Sequence, residues 1–124
     1  MNVDKLKELY NEYNLTKEDV FKHQHYIIIT RSGIDKIQGV AGIKINYEVI
    51  KCEPNFAVIK AKTEHLETFG SAIKGATYKD GNTNSWYVME MAEKRAMSRI
   101  VLKTCGFYEL GVFGEDESED FRKF

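Results

Sequence analysis

The 124-residue sequence has few of the residues that cross-link a chain or bind a metal ion. Its two cysteines, Cys52 and Cys105, exclude a disulfide framework and a four-thiolate zinc site. His23 and His25 form an H-x-H pair, but a metal site needs a third ligand, for which the sequence offers His65 and scattered carboxylates. We therefore expect a fold without a disulfide scaffold and without a metal.

Other absences narrow the class of protein. The sequence has no apolar run of about 18 residues, the length that a membrane span requires. Its first residues, MNVDKLKELYNEYN, are charged and lack the apolar middle of a signal peptide. It contains no nucleophile elbow, phosphate-binding loop, dinucleotide fingerprint or H-E-x-x-H motif. We expect a cytoplasmic protein that is not an enzyme and needs no cofactor.

The formal net charge of −1 conceals an uneven distribution. Residues 1–19 hold three basic and five acidic residues, and residues 111–124 hold two basic and five acidic residues. The stretch between them has 13 basic and nine acidic residues, so the body of the chain is basic and its ends are acidic. An acidic tail on a basic body is typical of a solubilising segment, or of a decoy or partner-binding segment in a protein that binds polyanions.

Hydrophobic periodicity predicts an α+β fold with helices at the N-terminus. Apolar residues at three- and four-residue intervals predict a helix over 3–13. The cap-like pair Thr16 and Asp19 indicates that a second helix, or an extension of the first, covers 17–23. The elements expected after these are a strand over 26–30, a helix from the cap Ser32 to Gly42, strands over 43–51, 56–64 and 67–74, a helix over 86–105 between the cap Ser85 and Gly106, and a short extended segment after it.

The order of these elements predicts how they pack. Because three consecutive strands precede one long helix, we expect a three- to four-stranded antiparallel sheet packed against the long C-terminal helix. A single domain is expected over residues 1–113. Residues 114–124 are expected to form an acidic, disordered tail, because they cannot bury enough apolar area.

Cationic residues alternate with apolar residues on the predicted strands and recur along the long helix. Phe56 and Phe69 are expected to pack in the core, and Tyr78 in a polar loop is expected to be accessible. Trp86 at the helix start is intermediate between these two cases. Cations that converge into one track beside accessible rings are typical of a groove for single-stranded nucleic acid. The candidate nucleic-acid-binding residues are Lys44, Lys60, Lys62, Lys74, Tyr78, Lys79, Trp86, Lys94, Arg95, Arg99 and Lys103.

Residues 87–117 read YVMEMAEKRAMSRIVLKTCGFYELGVFGEDE, a helix rich in small residues with an internal Lys-Arg pair, then a glycine turn and an acidic stretch. This pattern resembles the closing helix of phage single-strand annealing proteins of the Erf and Sak types. The resemblance implies a β-β-β-α core akin to the double-stranded-RNA-binding fold. It also implies that Lys94, Arg95 and Arg99 contact DNA or another subunit.

The C-terminal residues carry a second resemblance. Acidic residues precede Phe121, and the sequence ends on Phe124. This arrangement is similar to the partner-recruiting tails of single-stranded-DNA-binding proteins, in which a ring fills a pocket and carboxylates meet the basic residues around it. The candidate partner-binding residues are Glu115, Asp116, Glu117, Glu119, Asp120, Phe121 and Phe124.

Three functions remain open at this point. The leading hypothesis is a phage-type protein that binds single-stranded DNA as a homo-oligomer, promotes strand annealing in recombination or replication, and recruits other replication or recombination proteins through its tail. The alternative is a protein–protein adaptor or small regulatory protein with no nucleic-acid role. A weaker alternative, suggested by the element order, is a binder of duplex RNA.

Overall fold

The computed structural model describes residues 3–75, 81, 83 and 87–117. The helices and strands in the described part of the chain are α1 (Val3–Glu12), β1 (Val20–His23), β2 (Tyr26–Ile29), α2 (Arg31–Ala41), β3 (Asn46–Glu53), β4 (Phe56–Lys62), β5 (Glu67–Ile73), α3 (Val88–Thr104) and β6 (Val112–Gly114). Two 3₁₀ turns, Tyr108–Leu110 and Glu115–Glu117, flank β6. The predicted class, an antiparallel three-stranded sheet packed against a long C-terminal helix, is confirmed.

The sheet that packs against α3 is an antiparallel meander in the order β3-β4-β5. Alternate residues of its two covered strands are buried against the helix: Ala57, Ile59, Ala61, Thr68, Gly70 and Ala72. Most of these side chains are small, so the helix approaches the sheet closely. At Gly70 an added Cβ atom would collide with the backbone of Ala92 and Ala96. The helix axis therefore crosses β5 at a point where only glycine fits.

A second three-stranded sheet has the order β1-β2-β6. The chain reverses at Gln24, whose φ is 56°, so that β1 pairs antiparallel with β2. The strand β6 runs parallel to β2, with Ile27 opposite Val112 and Ile29 opposite Gly114. The Phe113 ring of β6 contacts the rings of Tyr26 and Tyr108 edge-on, with centroid separations of 5.6 and 5.2 Å. These contacts fix the C-terminal strand to the hairpin.

The prediction of a helix over 17–23 is wrong, because the signal that suggested it belongs to a turn. The Asp19 carboxylate accepts a hydrogen bond from the backbone N–H of Thr16 at 2.9 Å, so the pair closes a turn rather than starting a helix. The four residues from Val20 then pair with the apolar strand β2. Long-range pairing with that strand overrides the local helical signal.

The other helix boundaries depart less from expectation. Helix α2 begins at Arg31, capped by Thr30, whose hydroxyl accepts from the N–H of Gly33 at 3.2 Å. The predicted cap, Ser32, instead donates to the Asp19 carboxylate at 3.2 Å. The helix ends where predicted, at Gly42 in the left-handed region. The predicted cap of α3, Ser85, lies outside the described residues, and Gly106 follows α3 with a φ of 85°.

Asp19 joins the turn after α1 to helix α2 and is only 3% exposed. Its carboxylate accepts a hydrogen bond from the Lys36 ammonium at 2.7 Å, in addition to those from Thr16 and Ser32. These donors, Lys36 foremost, lower the pKa of Asp19 from 3.8 to about 2. The charged carboxylate therefore stabilises the folded chain above the pKa of the unfolded state, and the contribution is lost as the pH falls through the folded pKa.

We expect acid to lower the free energy of unfolding by about 1–2 kcal/mol through Asp19 alone, between about pH 4 and about pH 2. Urea unfolding at neutral pH and at about pH 2.5, followed by circular dichroism, measures the loss. Asp19→Asn is the control: it should be less stable at neutral pH and should lose less stability in acid. An equal acid loss in the variant and the parent would contradict this role.

Candidate nucleic-acid interface

The face of the meander sheet opposite α3 is uncovered in the described part of the structure. Its side chains are those that alternate with the residues buried against the helix, together with their cross-strand neighbours on β3. We call this surface the open face, and it consists of Asn46, Glu48, Lys51 and Glu53 on β3, Phe56, Val58, Lys60 and Lys62 on β4, and Glu67, Phe69, Ser71 and Ile73 on β5.

Aromatic and aliphatic side chains are accessible on the open face. The Phe69 side chain is 50% exposed and Ile73 is 40% exposed. Phe56 is half-buried, and the Lys51 ammonium lies 5.4 Å from its ring centroid. The expectation that Phe69 packs in the core is therefore wrong. The sequence indicates this orientation of Phe69. Thr68, Gly70 and Ala72, which alternate with Phe69 on the strand, are the small residues that a closely packed helix requires. Phe69 must therefore point to the opposite face of the sheet.

Every lysine of the open face has a carboxylate close by. Lys60 pairs with Glu48 at 3.0 Å, Lys51 with Glu53 at 3.6 Å and Lys62 with Glu67 at 3.8 Å. The hydrogen bond that the Lys60 ammonium donates to the Glu48 carboxylate raises the pKa of Lys60, so this ammonium stays charged. Because three lysines face three glutamates, the open face is close to neutral and exerts little long-range attraction on a polyanion.

Arg95 does not belong to an exposed basic flank, contrary to the prediction. Its side chain is 1% exposed, and its guanidinium donates to the carbonyl oxygen of Ser71 at 2.7 Å and to that of Asp116 at 3.2 Å. The cause is the close crossing at Gly70, which places this part of α3 directly over β5. One turn further along, Arg99 donates to the carbonyl oxygen of Phe69 at 2.7 Å. The two arginines therefore donate hydrogen bonds to backbone carbonyl groups along the outer edge of β5.

The remaining candidate cations do not form one track with those of the open face. Lys94 and Lys103 are exposed on α3, on the other side of the sheet from Lys60 and Lys62, so the prediction of a single track is wrong. Lys103 lies 5.4 Å from the centroid of the Tyr108 ring. Lys44 is exposed in the segment before β3, and Lys74 is half-buried just after β5. The candidates Tyr78, Lys79 and Trp86 lie outside the described residues.

The first acidic residues of the predicted tail are part of the domain. The Glu115 carboxylate accepts from the backbone N–H of Arg31 at 3.1 Å, at the N-terminus of α2. The Asp116 carboxylate accepts from the Ser98 hydroxyl at 2.9 Å and lies 3.6 Å from the Arg31 guanidinium. We call this set of contacts the C-terminal clamp. It joins α2 to α3, so the predicted boundary at residue 113 is wrong.

The clamp also changes the assignment of the partner-binding residues. Glu115 and Asp116 are held within the fold by these contacts, so the structure contradicts their placement in a disordered recruiting tail. The backbone of Glu117 completes the last 3₁₀ turn. The side chain of Glu117 and the candidates Glu119, Asp120, Phe121 and Phe124 lie outside the described residues.

Strand β3 is exposed on both faces along all eight residues. Its residues Tyr47 and Val49 point to the side of the sheet that carries α3, yet they remain 44% and 55% exposed. Burial of the covered part of the Tyr47 side chain, with the Glu93 carboxylate nearby, raises the pKa of Tyr47. Since β3 is also one of the two outer strands of the meander, it presents both faces and one backbone edge.

Among the described residues, no group of three or more histidine, cysteine, aspartate or glutamate side chains is placed to hold a metal ion. No helix in this part of the chain has the length and apolarity needed to cross a bilayer. Comparison of the chain with protein-family models, with curated proteins and with solved structures finds no match.

Proposed function

We propose that this protein binds single-stranded DNA on the open face, without enzymatic activity or a cofactor, in the cytoplasm. The observation that carries the proposal is the accessible Phe69 ring on an antiparallel sheet, with lysines on the neighbouring strands. Unpaired bases stack on aromatic rings presented in this way, and the sheet face of one common RNA-binding module uses the same device. Stacking needs no base-specific contact, so binding is tolerant of sequence.

Phe69 and Phe56 provide two separate stacking positions. Phe69 lies opposite Lys60, whereas Phe56 lies four residues before Lys60 on the same strand. Four residues of extended strand span about 13 Å, which separates the two rings enough for each to receive its own base. Each stacked base contributes about 1–3 kcal/mol.

The lysines of the open face contribute less than the rings. A surface ion pair is worth about 0–1 kcal/mol, so a phosphate can replace the carboxylate partner at small cost. Three lysines can neutralise three phosphates at most, which predicts a log–log salt slope no steeper than about −2 for a single strand. Stacking rather than charge therefore dominates the affinity.

Replacing Phe69 by alanine should weaken binding of a labelled oligothymidylate by about 5- to 150-fold, the loss of one stacked base. Fluorescence anisotropy at two salt concentrations measures the affinity and the salt slope. Phe69→Trp should retain binding, and Tyr87→Ala, which removes an exposed ring outside the open face, should change it little. Equal affinities for the parent and Phe69→Ala would remove the open face from the mechanism.

The exposure of β3 supports a homo-oligomer as part of the same proposal. A second copy that packs against β3 would cover Tyr47 and Val49 and satisfy the outer edge of the strand. An oligomer would also present several open faces to one DNA strand, which is the arrangement that strand annealing requires. Within this proposal, residues 118–124 supply the acidic and aromatic groups for recruiting replication or recombination proteins.

The charge balance of the open face favours a second candidate, a protein-binding adaptor. Apolar residues such as Phe69 and Ile73, surrounded by paired charges, are typical of a protein–protein interface as well. The two candidates differ in the anisotropy titration. An adaptor shows no binding of single-stranded DNA even at low salt, and a duplex-RNA binder prefers duplex RNA to either form of DNA.

A further inference from the structure

A cavity of about 510 Å³ lies between helix α1 and the segment that connects α1 to β1. We call it the α1 cavity. Its volume falls within the range of about 300–1,000 Å³ that small-molecule sites occupy. The described residues that line it are Lys7, Tyr10 and Asn11 of α1, Leu15, Thr16 and Lys17 of the connecting segment, and Val20 of β1. None of these residues belongs to the open face, so the two surfaces can be tested separately.

The walls of the α1 cavity are held in place by hydrogen bonds. After α1 the chain turns at Asn14, whose φ is 57°, and the N–H of Leu15 donates to the Tyr10 carbonyl at 2.9 Å. The other end of the connecting segment is fixed by Asp19, which binds both Thr16 and Lys36. A ligand therefore meets a cavity that is already formed and does not have to order its walls.

The polar groups around the cavity favour an anion. Lys7 and Lys17 are both exposed at its rim, and no carboxylate is among the described residues that line it. The nearby carboxylate of Asp19 is occupied by Lys36, Thr16 and Ser32. Burial raises the pKa of Tyr10, so its hydroxyl remains neutral and able to donate a hydrogen bond.

The floor of the cavity is apolar. Tyr10, Leu15 and Val20 are partly buried and pack against the hydrophobic core, leaving part of their surface towards the cavity. A small inorganic anion would leave this apolar surface exposed to water, and a purely apolar ligand would gain nothing from the two ammonium groups at the rim. A ligand that has both an apolar body and an anionic group satisfies both requirements.

We infer that the α1 cavity binds a small amphipathic anion, with the anionic group between Lys7 and Lys17 and the apolar body against Tyr10, Leu15 and Val20. Anilinonaphthalene sulfonate is a suitable probe because it combines an aromatic body with a sulfonate. Amide chemical-shift mapping by NMR should place the probe around Tyr10, Leu15 and Val20. Perturbation confined to residues around Phe69 and Ile73, or no perturbation, would overturn the inference.

Charge-matched variants test the two lysines. The double variant Lys7→Gln/Lys17→Gln should weaken binding of the probe, measured by fluorescence titration, by about fivefold or more. The control Lys5→Gln/Lys22→Gln removes the same charge from residues that do not line the cavity and should leave the affinity within about twofold. An equal loss in both double variants would indicate only a general charge effect and would overturn the site.

Competition experiments identify the anionic group of the ligand. Decanoate carries a carboxylate and phenyl phosphate carries a phosphate, each on an apolar body. Displacement of the probe by either compound supports the inference and identifies the preferred group, and failure of both would contradict it. Phe69→Ala should bind the probe as the parent protein does, so a failure of DNA binding and a failure of this site give different results.

Discussion

Replacing Gly70 by alanine is expected to lower the free energy of unfolding by about 3 kcal/mol or more. The added methyl group would collide with backbone atoms of Ala92 and Ala96 and lie 3.0 Å from the Cβ of Arg95. These backbone atoms cannot move aside as the end of a flexible side chain can. Helix α3 therefore has to move away from β5. That movement would weaken the packing of the helix along the whole strand. Urea unfolding followed by circular dichroism measures the loss.

Gly39→Ala is a matched control for Gly70→Ala. Gly39 lies inside helix α2, and an added Cβ there meets no atom within 4 Å. Alanine is the better helix former, so this variant should gain about 0.5–1 kcal/mol of stability. If the two glycine-to-alanine substitutions change the free energy of unfolding in opposite directions, the close approach of α3 to β5, and not the loss of a glycine as such, decides the outcome. If Gly70→Ala were as stable as the parent protein, this would contradict the close approach of α3 to β5 at Gly70.

Replacing Arg95 by alanine is expected to cost about 3 kcal/mol or more of stability, in the absence of any nucleic acid. The substitution leaves the carbonyl oxygens of Ser71 and Asp116 without their guanidinium donor and opens a cavity where a fully buried side chain stood. Arg95→Lys should restore only part of the loss, because an ammonium cannot reproduce the planar fork of donors. Thermal and urea unfolding of the isolated protein measure both effects.

Lys94→Ala is the control for Arg95, because it removes a neighbouring cation that is exposed on the same helix. Its unfolding free energy should stay within about 0.5 kcal/mol of the parent value. If Arg95→Ala were as stable as Lys94→Ala, the buried hydrogen bonds of Arg95 would not hold α3 against β5. A DNA-binding defect in Arg95→Ala must be interpreted only after its folding has been measured.

The sequence pattern predicted the elements that depend on local periodicity. The alternating pattern of residues predicted the meander strands, and glycines predicted the ends of α2 and α3. The strands β1 and β6 were harder to predict because each is only three or four residues long and depends on pairing with the distant strand β2. Local signals therefore predicted β2 but carried little information about β1 and about the pairing of β6 with β2.

The candidate site was predicted less well, since charge alone does not indicate exposure. Arg95 and Lys94 are adjacent cations, yet one is buried and the other is exposed. The difference comes from the glycine and alanines that bring α3 close to β5, a feature that involves residues more than 20 positions apart. Phe69 was assigned to the core for the same reason: its orientation depends on which face of the sheet the helix covers.

The C-terminal clamp has a consequence for how the chain reaches its folded form during synthesis. The contact between Arg31 and Glu115 joins residues separated by 84 positions, and β6 pairs with β2 over a similar separation. The ribosome therefore has to release nearly the whole domain before the hairpin sheet acquires its third strand. Until then one backbone edge of β2 lacks its partner strand, and an unpaired strand edge of this kind exposes a nascent chain to aggregation.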